Sequence, residues 1–187
     1  PIGEGDLRIY SAETGELLHT YAVGTRLGAM HVSPDGSFAM VTELAPAAGV
    51  ATAYRVNLAT GAFETFNLTA PSQEATPFYD LAILSDGTVL LTVGMTGGGI
   101  GQTKILDLET GTFTDGPSVQ PSSYLTPSSD GSEVLIGQPW ITNGPMSMFV
   151  TGSGIVANND GFEDGITAQN WGIQAFNDST GLVAQWA

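Results

Sequence analysis

The sequence contains no cysteine. Disulfides, thiolate catalysis and cysteine-held zinc are therefore excluded at once. Basic residues are nearly missing: 4 Lys and Arg stand against 19 Asp and Glu, a net charge of −15. Affinity for nucleic acid comes largely from Lys and Arg neutralising phosphates, so no nucleic-acid partner is expected. An anionic membrane surface is disfavoured for the same reason. Charge of either sign is scarce, at 12% of residues against a usual ~25%. Long apolar runs are missing too. The longest charge-free stretch, 134–159, is broken by Pro139, Asn143, Pro145 and Asn158, so no membrane insertion is expected. Helical periodicity is the last absence, since no window repeats apolar residues at i, i+3, i+4 and i+7 between caps.

What is present is turn chemistry and short alternation. The 187 residues include 25 Gly and 10 Pro, and 42% are hydrophobic, enough to build a core. Short runs such as Leu7–Tyr10, Ser37–Val41, Thr88–Val93 and Glu133–Ile136 are bounded by Gly, Asp, Asn or Pro. That is the pattern of an all-β chain. The first residue is Pro rather than Met, as expected of a chain that is processed, trimmed or cut from something longer.

Two phrases repeat. A strand followed by a Thr-Gly turn reads LRIYSAETGELL at 7–18, AYRVNLATGAFE at 53–64 and TKILDLETGTFT at 103–114, with a looser copy, QAFNDSTGLVAQ, at 174–185. An Asp-Gly turn after a short strand reads MHVSPDGSFAMV at 30–41, LAILSDGTVLLT at 81–92 and LTPSSDGSEVLI at 125–136. The phrases alternate along the chain. Gly after Asp or Thr suits a hairpin that needs positive φ. The alternation therefore predicts four-stranded meanders, each closing its first hairpin on Asp-Gly and its second on Thr-Gly. Four strands in ~40–50 residues is the size of a propeller blade.

The alternation of strand-SPDG-strand with strand-xxTG-strand resembles the YVTN/WD40-like bacterial β-propellers. It is clearest in HVSPDGSFAMVTE at 31–43 and YRVNLATGAFETF at 54–66. The Gly-His and Trp-Asp signatures of true WD40 repeats are missing. The resemblance implies an all-β propeller, or a segment of one, over residues 1–187, with about four to five partly degenerate four-stranded blades. Residues 6–23 read as an outer strand pair lacking its inner pair. Fuller blades are expected at about 27–68 and 78–115, and a degenerate one at 122–157. Completion of the ring by another chain or by missing blades is expected.

Candidate sites are few. Inner-type strands line a propeller's channel, which makes His31, Asp80 and Asp130 the candidate catalytic residues. Trp140 and Trp171, with Asn and Gln nearby, are candidates for stacking on a ligand. Asn158, Asp160, Glu163 and Asp164 are a dense set of oxygen ligands that could hold Ca²⁺, although an EF-hand pattern does not fit them. The glycine-rich stretch 94–104 lacks the Gly-Lys-[Ser/Thr] of a phosphate loop and reads as an inter-strand loop. Arg8, Arg55 and Lys104 recur near one position of the repeat, which predicts a solvent-facing site paired with acids.

The expected function is a non-catalytic binding or scaffold module for a protein or glycan ligand. The alternatives are the propeller of a secreted metal-dependent hydrolase (lactonase-like) or lyase, and a structural component of a surface layer or filament. Scarce Lys with abundant Thr, Ser, Gly and Asn predicts an extracellular, periplasmic or cell-surface bacterial protein. No cofactor other than Ca²⁺ is expected.

Overall fold

The computed structural model describes residues 5–69, 77–94, 101–137 and 146–159, in which the chain forms fourteen strands and no helix. β1 (Asp6–Tyr10) and β2 (Leu17–Ala22) make a two-stranded sheet. Three four-stranded sheets follow, each ordered as in the chain. The first holds β3 (Leu27–Val32), β4 (Phe38–Glu43), β5 (Val50–Asn57) and β6 (Phe63–Thr69). The second holds β7 (Phe78–Ile83), β8 (Thr88–Val93), β9 (Gly101–Asp107) and β10 (Phe113–Val119). The third holds β11 (Tyr124–Pro127), β12 (Glu133–Gly137), β13 (Met146–Val150) and β14 (Gly154–Asn159). Every pairing is antiparallel. The sheet limits fall within a few residues of those read from the repeats.

The two repeated phrases close different hairpins for different reasons. In the β3–β4 turn the Asp35 carboxylate accepts bonds from the Ser33 hydroxyl (2.6 Å), the Ser37 amide (3.0 Å) and the Ser37 hydroxyl (2.8 Å). Gly36 takes φ +70°. Asp130 repeats this with Ser128 and Ser132 in the β11–β12 turn. The Thr-Gly turns are wider than a two-residue hairpin. Asn57 Oδ1 accepts the amides of Ala59 and Thr60, and the Gly61 amide closes on the Asn57 carbonyl at 2.8 Å. Asp107 does the same for Glu109, Thr110 and Gly111. The phrase therefore needs a side-chain acceptor three residues before the Thr as well as the Gly.

The repeat reading passed over one hairpin. The β13–β14 turn contains Thr151-Gly152, but Met148 stands where Asn57 and Asp107 stand in the other copies. This turn closes instead on a bond from the Ser153 amide to the Val150 carbonyl, 2.9 Å. The 174–185 copy lies outside the described residues.

The sheets stack face to face, with a layer of side chains between each pair. Leu7 and Val23 pack on Ala39, Val41 and Val56. Met40, Ala53 and Phe66 pack on Phe78, Leu81, Ile83, Leu91 and Leu106. Ala82, Leu84 and Leu90 pack on Leu125, Val134, Ile136 and Phe149. Strand alternation sends Met40 to one layer and Val41 to the other, so β4 and β8 are buried on both faces. Each large side chain so buried contributes about 1.5–3 kcal/mol.

Candidate functional site

The first strand of each four-stranded sheet lies beside the first strand of the next, and polar groups stitch them. His31, on β3, accepts the Ile83 amide of β7 at its Nδ1, 3.0 Å away. Its proton therefore sits on Nε2. Asp80, on β7, accepts the Leu125 amide of β11 at Oδ2, 2.8 Å, and the Leu81 amide at Oδ1, 2.9 Å. The Thr92 hydroxyl donates to the Ser123 carbonyl at 2.8 Å and accepts the Asp80 amide at 3.1 Å. The Ser122 amide meets the Val93 carbonyl at 2.9 Å, with Ser122 itself at φ +58°. Tyr79 and Tyr124 close the β7–β11 side, their ring centres 5.2 Å apart.

Burial tunes these groups. It pulls the His31 imidazole below its ordinary value, towards the neutral form that accepts the amide. It pushes the Asp80 carboxyl up, against the two amides that favour its ionised form. The hydrogen bond with Tyr79 raises the Tyr124 hydroxyl, with smaller contributions from the charge of Tyr79, from burial and from Asp80.

The three catalytic candidates thus have separate partners. His31 is the fifth of six residues of β3. Asp80 spans to the next sheet. Asp130 lies in an exposed turn, and its serine partners hold its carboxyl down at about 2, as those of Asp35 do. Asn158 lies on β14 opposite Ser147. Asp160, Glu163, Asp164, Trp140 and Trp171 fall outside the described residues. Among the described residues no group of three or more His, Asp or Glu is placed to hold a metal.

The recurring cations are paired with acids. Arg8 meets Asp6 at 3.5 Å, Arg55 meets Glu64 at 3.3 Å, and Lys104 meets Asp115. Arg55 also lies over the Phe38 ring, 5.6 Å from its centre. Both border an open cleft of about 710 Å³ between the first two four-stranded sheets, lined also by Phe66, Leu108 and Glu109.

Sequence reasoning missed Glu43. It ends β4 at 3% exposure. Its carboxylate accepts the amides of Thr25 (2.7 Å), Arg26 (2.9 Å) and Ala45 (3.0 Å) and the Tyr54 hydroxyl (3.2 Å). Burial alone would raise this carboxyl, but the donors outweigh it and hold the group below its ordinary value. An acid closing the apolar run FAMVT was the available signal.

No family model and no curated protein matches the sequence. Solved structures do. The chain is similar to Kuenenia stuttgartiensis hydrazine synthase, with TM-score 0.60 and 16% identity over 83% of this chain and 43% of that one. It is similar to the β-propeller domain of Myceliophteria thermophila Cps50 (Swd1), with TM-score 0.58 and 13% identity over 84% and 50%. It is similar to the Dos1 propeller, with TM-score 0.56 and 14% identity over 83% and 42%. The chain therefore spans half or less of the length of these structures. At such identities the likeness concerns the fold alone: an all-β chain of four-stranded antiparallel sheets whose structural neighbours are β-propellers.

Proposed function

We propose that this chain is part of a YVTN-type propeller that serves as a non-catalytic binding or scaffold module for a protein or glycan ligand. The supporting observation is the use made of the inner-strand polar groups. His31 and Asp80 each hold a backbone amide of the neighbouring sheet, and Asp130 holds its own turn. The bonds of His31 and Asp80 engage the imidazole Nδ1 and both carboxylate oxygens, the atoms by which these two residues would act as a base or a metal ligand. The fold carries no chemistry of its own, since propellers serve both enzymes and adaptors.

The finer parts of the proposal are these. The low Lys content and the Thr-, Ser- and Gly-rich composition support an extracellular, periplasmic or cell-surface location. Trp140 and Trp171 are the proposed ligand-stacking residues, and Asn158, Asp160, Glu163 and Asp164 a proposed Ca²⁺ site. The two-stranded β1–β2 sheet, beside sheets of four, supports completion of the ring by strands beyond those described.

The test is a turnover screen against lactone, ester and polysaccharide substrates, with Ca²⁺ or Mg²⁺ supplied, in parallel with glycan-array and protein-capture binding. Binding without turnover is the expected result. Turnover lost in Asp80→Asn or His31→Gln at unchanged Tm would overturn the reading in favour of a hydrolase or lyase.

A further inference from the structure

Two equivalent junctions of the stack differ in a hydroxyl. Counted from the Thr-Gly turns, Leu7 corresponds to Ala53, and their cross-strand partners are Tyr21 and Phe66. Each of these rings meets the Thr-Gly turn of the following sheet. A Cβ on Gly61 would lie 2.3 Å from the Tyr21 ring, and one on Gly111 would lie 3.7 Å from the Phe66 ring. At the first junction the Tyr21 hydroxyl donates to the Leu58 carbonyl at 3.1 Å. Leu108 precedes Thr110 as Leu58 precedes Thr60, and both turns close on the same kind of acceptor, Asn57 or Asp107. Phe66 has no hydroxyl to offer, and the Leu108 carbonyl accepts no hydrogen bond from the described residues. The open cleft of about 710 Å³ lies at this second junction.

Beside that carbonyl stands Glu109, exposed, whose carboxylate has no bonding partner among the described residues. On the facing wall Arg55 is matched by Glu64 and lies over Phe38, so Glu109 is the uncompensated charge of the lining. Phe66 and Leu108 supply apolar surface between the two walls. A carboxylate and a carbonyl next to apolar surface suit a planar cation with several N–H donors on an apolar stem, which is an arginine side chain. An ammonium has the charge without the planar fork, and an anion would meet Glu109. The preceding junction lacks both acceptors, since Ala59 replaces Glu109 and Tyr21 occupies the carbonyl. The Asp-Gly and Thr-Gly turns that border the cleft share one end of the sheets. Every stretch outside the described residues joins the described chain at the other end.

Resting on the binding-module reading above, we propose that this cleft receives an arginine side chain of a partner protein. Its guanidinium is held by the Glu109 carboxylate and the Leu108 carbonyl, and its stem lies on Phe66 and Leu108. The net charge of −15 steers such a cation towards the chain, and the two acceptors give it a place.

The test is a titration of the isotope-labelled chain with the blocked peptide acetyl-Gly-Ala-Arg-Ala-Gly-amide, followed by amide chemical shifts. Salt at about 0.15 M screens unspecific attraction to the acidic chain. The expected result is a saturable shift centred on the amides of Glu109, Thr110 and Gly111, absent when neutral citrulline replaces the arginine. Glu109→Gln should weaken binding about fivefold. Phe66→Tyr, which supplies the hydroxyl of the first junction, should weaken it about as much. Glu13→Gln removes the same charge at the corresponding position of the β1–β2 turn and should leave binding unchanged. Equal binding of the citrulline peptide, or equal losses in Glu109→Gln and Glu13→Gln, overturns the proposal. If the arginine peptide leaves the Glu109–Gly111 amides unmoved while the glycan array or protein capture above finds a ligand, this site falls and the binding-module reading stands. Turnover in that screen beside intact binding at the cleft removes the non-catalytic reading and leaves the site.

Discussion

Single residues carry unusual weight where they tie an exposed connection to the core. Glu43 gathers the Thr25 and Arg26 amides, which lie between the β1–β2 hairpin and β3. Glu43→Ala would remove the shared acceptor of these amides and leave a gap where the buried carboxylate stood, and the expected loss is about 1–3 kcal/mol in urea unfolding. Glu43→Gln should also destabilise, because its amide NH₂ would face donors. Glu43 is held below its ordinary value in the folded chain, so its contribution is complete above the unfolded-state carboxyl range and fades as pH falls through the folded value. Wild type and Glu43→Gln should therefore converge in stability under acid. Gly61 is needed twice. It sits at φ +73°, and a Cβ there would come within 2.3 Å of the Tyr21 ring that docks the first hairpin. Gly61→Ala is expected to cost about 1–3 kcal/mol and to loosen β1–β2, which amide exchange of Leu7 and Tyr21 would report.

At the scale of the element, the hairpins show how side chains program a turn. Asp35 and Asp130 have their carboxyls lowered to about 2 by hydrogen bonds within their turns. Lowered acids stabilise at pH values above their unfolded-state range near 3.8 and lose that contribution as pH falls towards 2. The double variant Asp35→Asn, Asp130→Asn should thus be less stable than wild type at pH 7 and lose the difference in strong acid, which thermal melts at both ends of this window would check. The β3–β4 and β7–β8 ladders each carry an irregularity, between Leu27 and Met30 and between Phe78 and Asp80. At both, a fully buried threonine, Thr42 or Thr92, takes the amide that the ladder leaves over, that of Ala29 or Asp80. This pairing was not legible in the sequence. A threonine in a strand reads as ordinary β-propensity until a partner strand shows which amide it must satisfy.

Over the whole molecule, the sheets are joined by apolar layers and by the His31 and Asp80 bonds. Asp80→Ala would orphan the Leu125 amide, with an expected cost of about 1–3 kcal/mol and faster exchange of β11 amides than of β8 amides. His31 is pulled below its ordinary value by burial, so protonation favours the unfolded chain. Its contribution is present above the unfolded-state value of about 6.5 and is lost as pH falls below it. A stability profile between pH 7 and 5 should slope downward in wild type and less so in His31→Gln.

The repeats alone were enough to determine the strand order within each sheet and the placement of the Asp-Gly and Thr-Gly turns. Those features are local: alternation at period two and a glycine or acceptor at fixed offset act within a dozen residues. The fates of His31, Asp80 and Glu43 were decided only by tertiary structure. His31 and Asp80 each depend on a strand from another sheet, and Glu43 on the connection that leads into β3. A short-range pattern specifies which face a side chain takes, but not whether an amide, an apolar layer or solvent waits there.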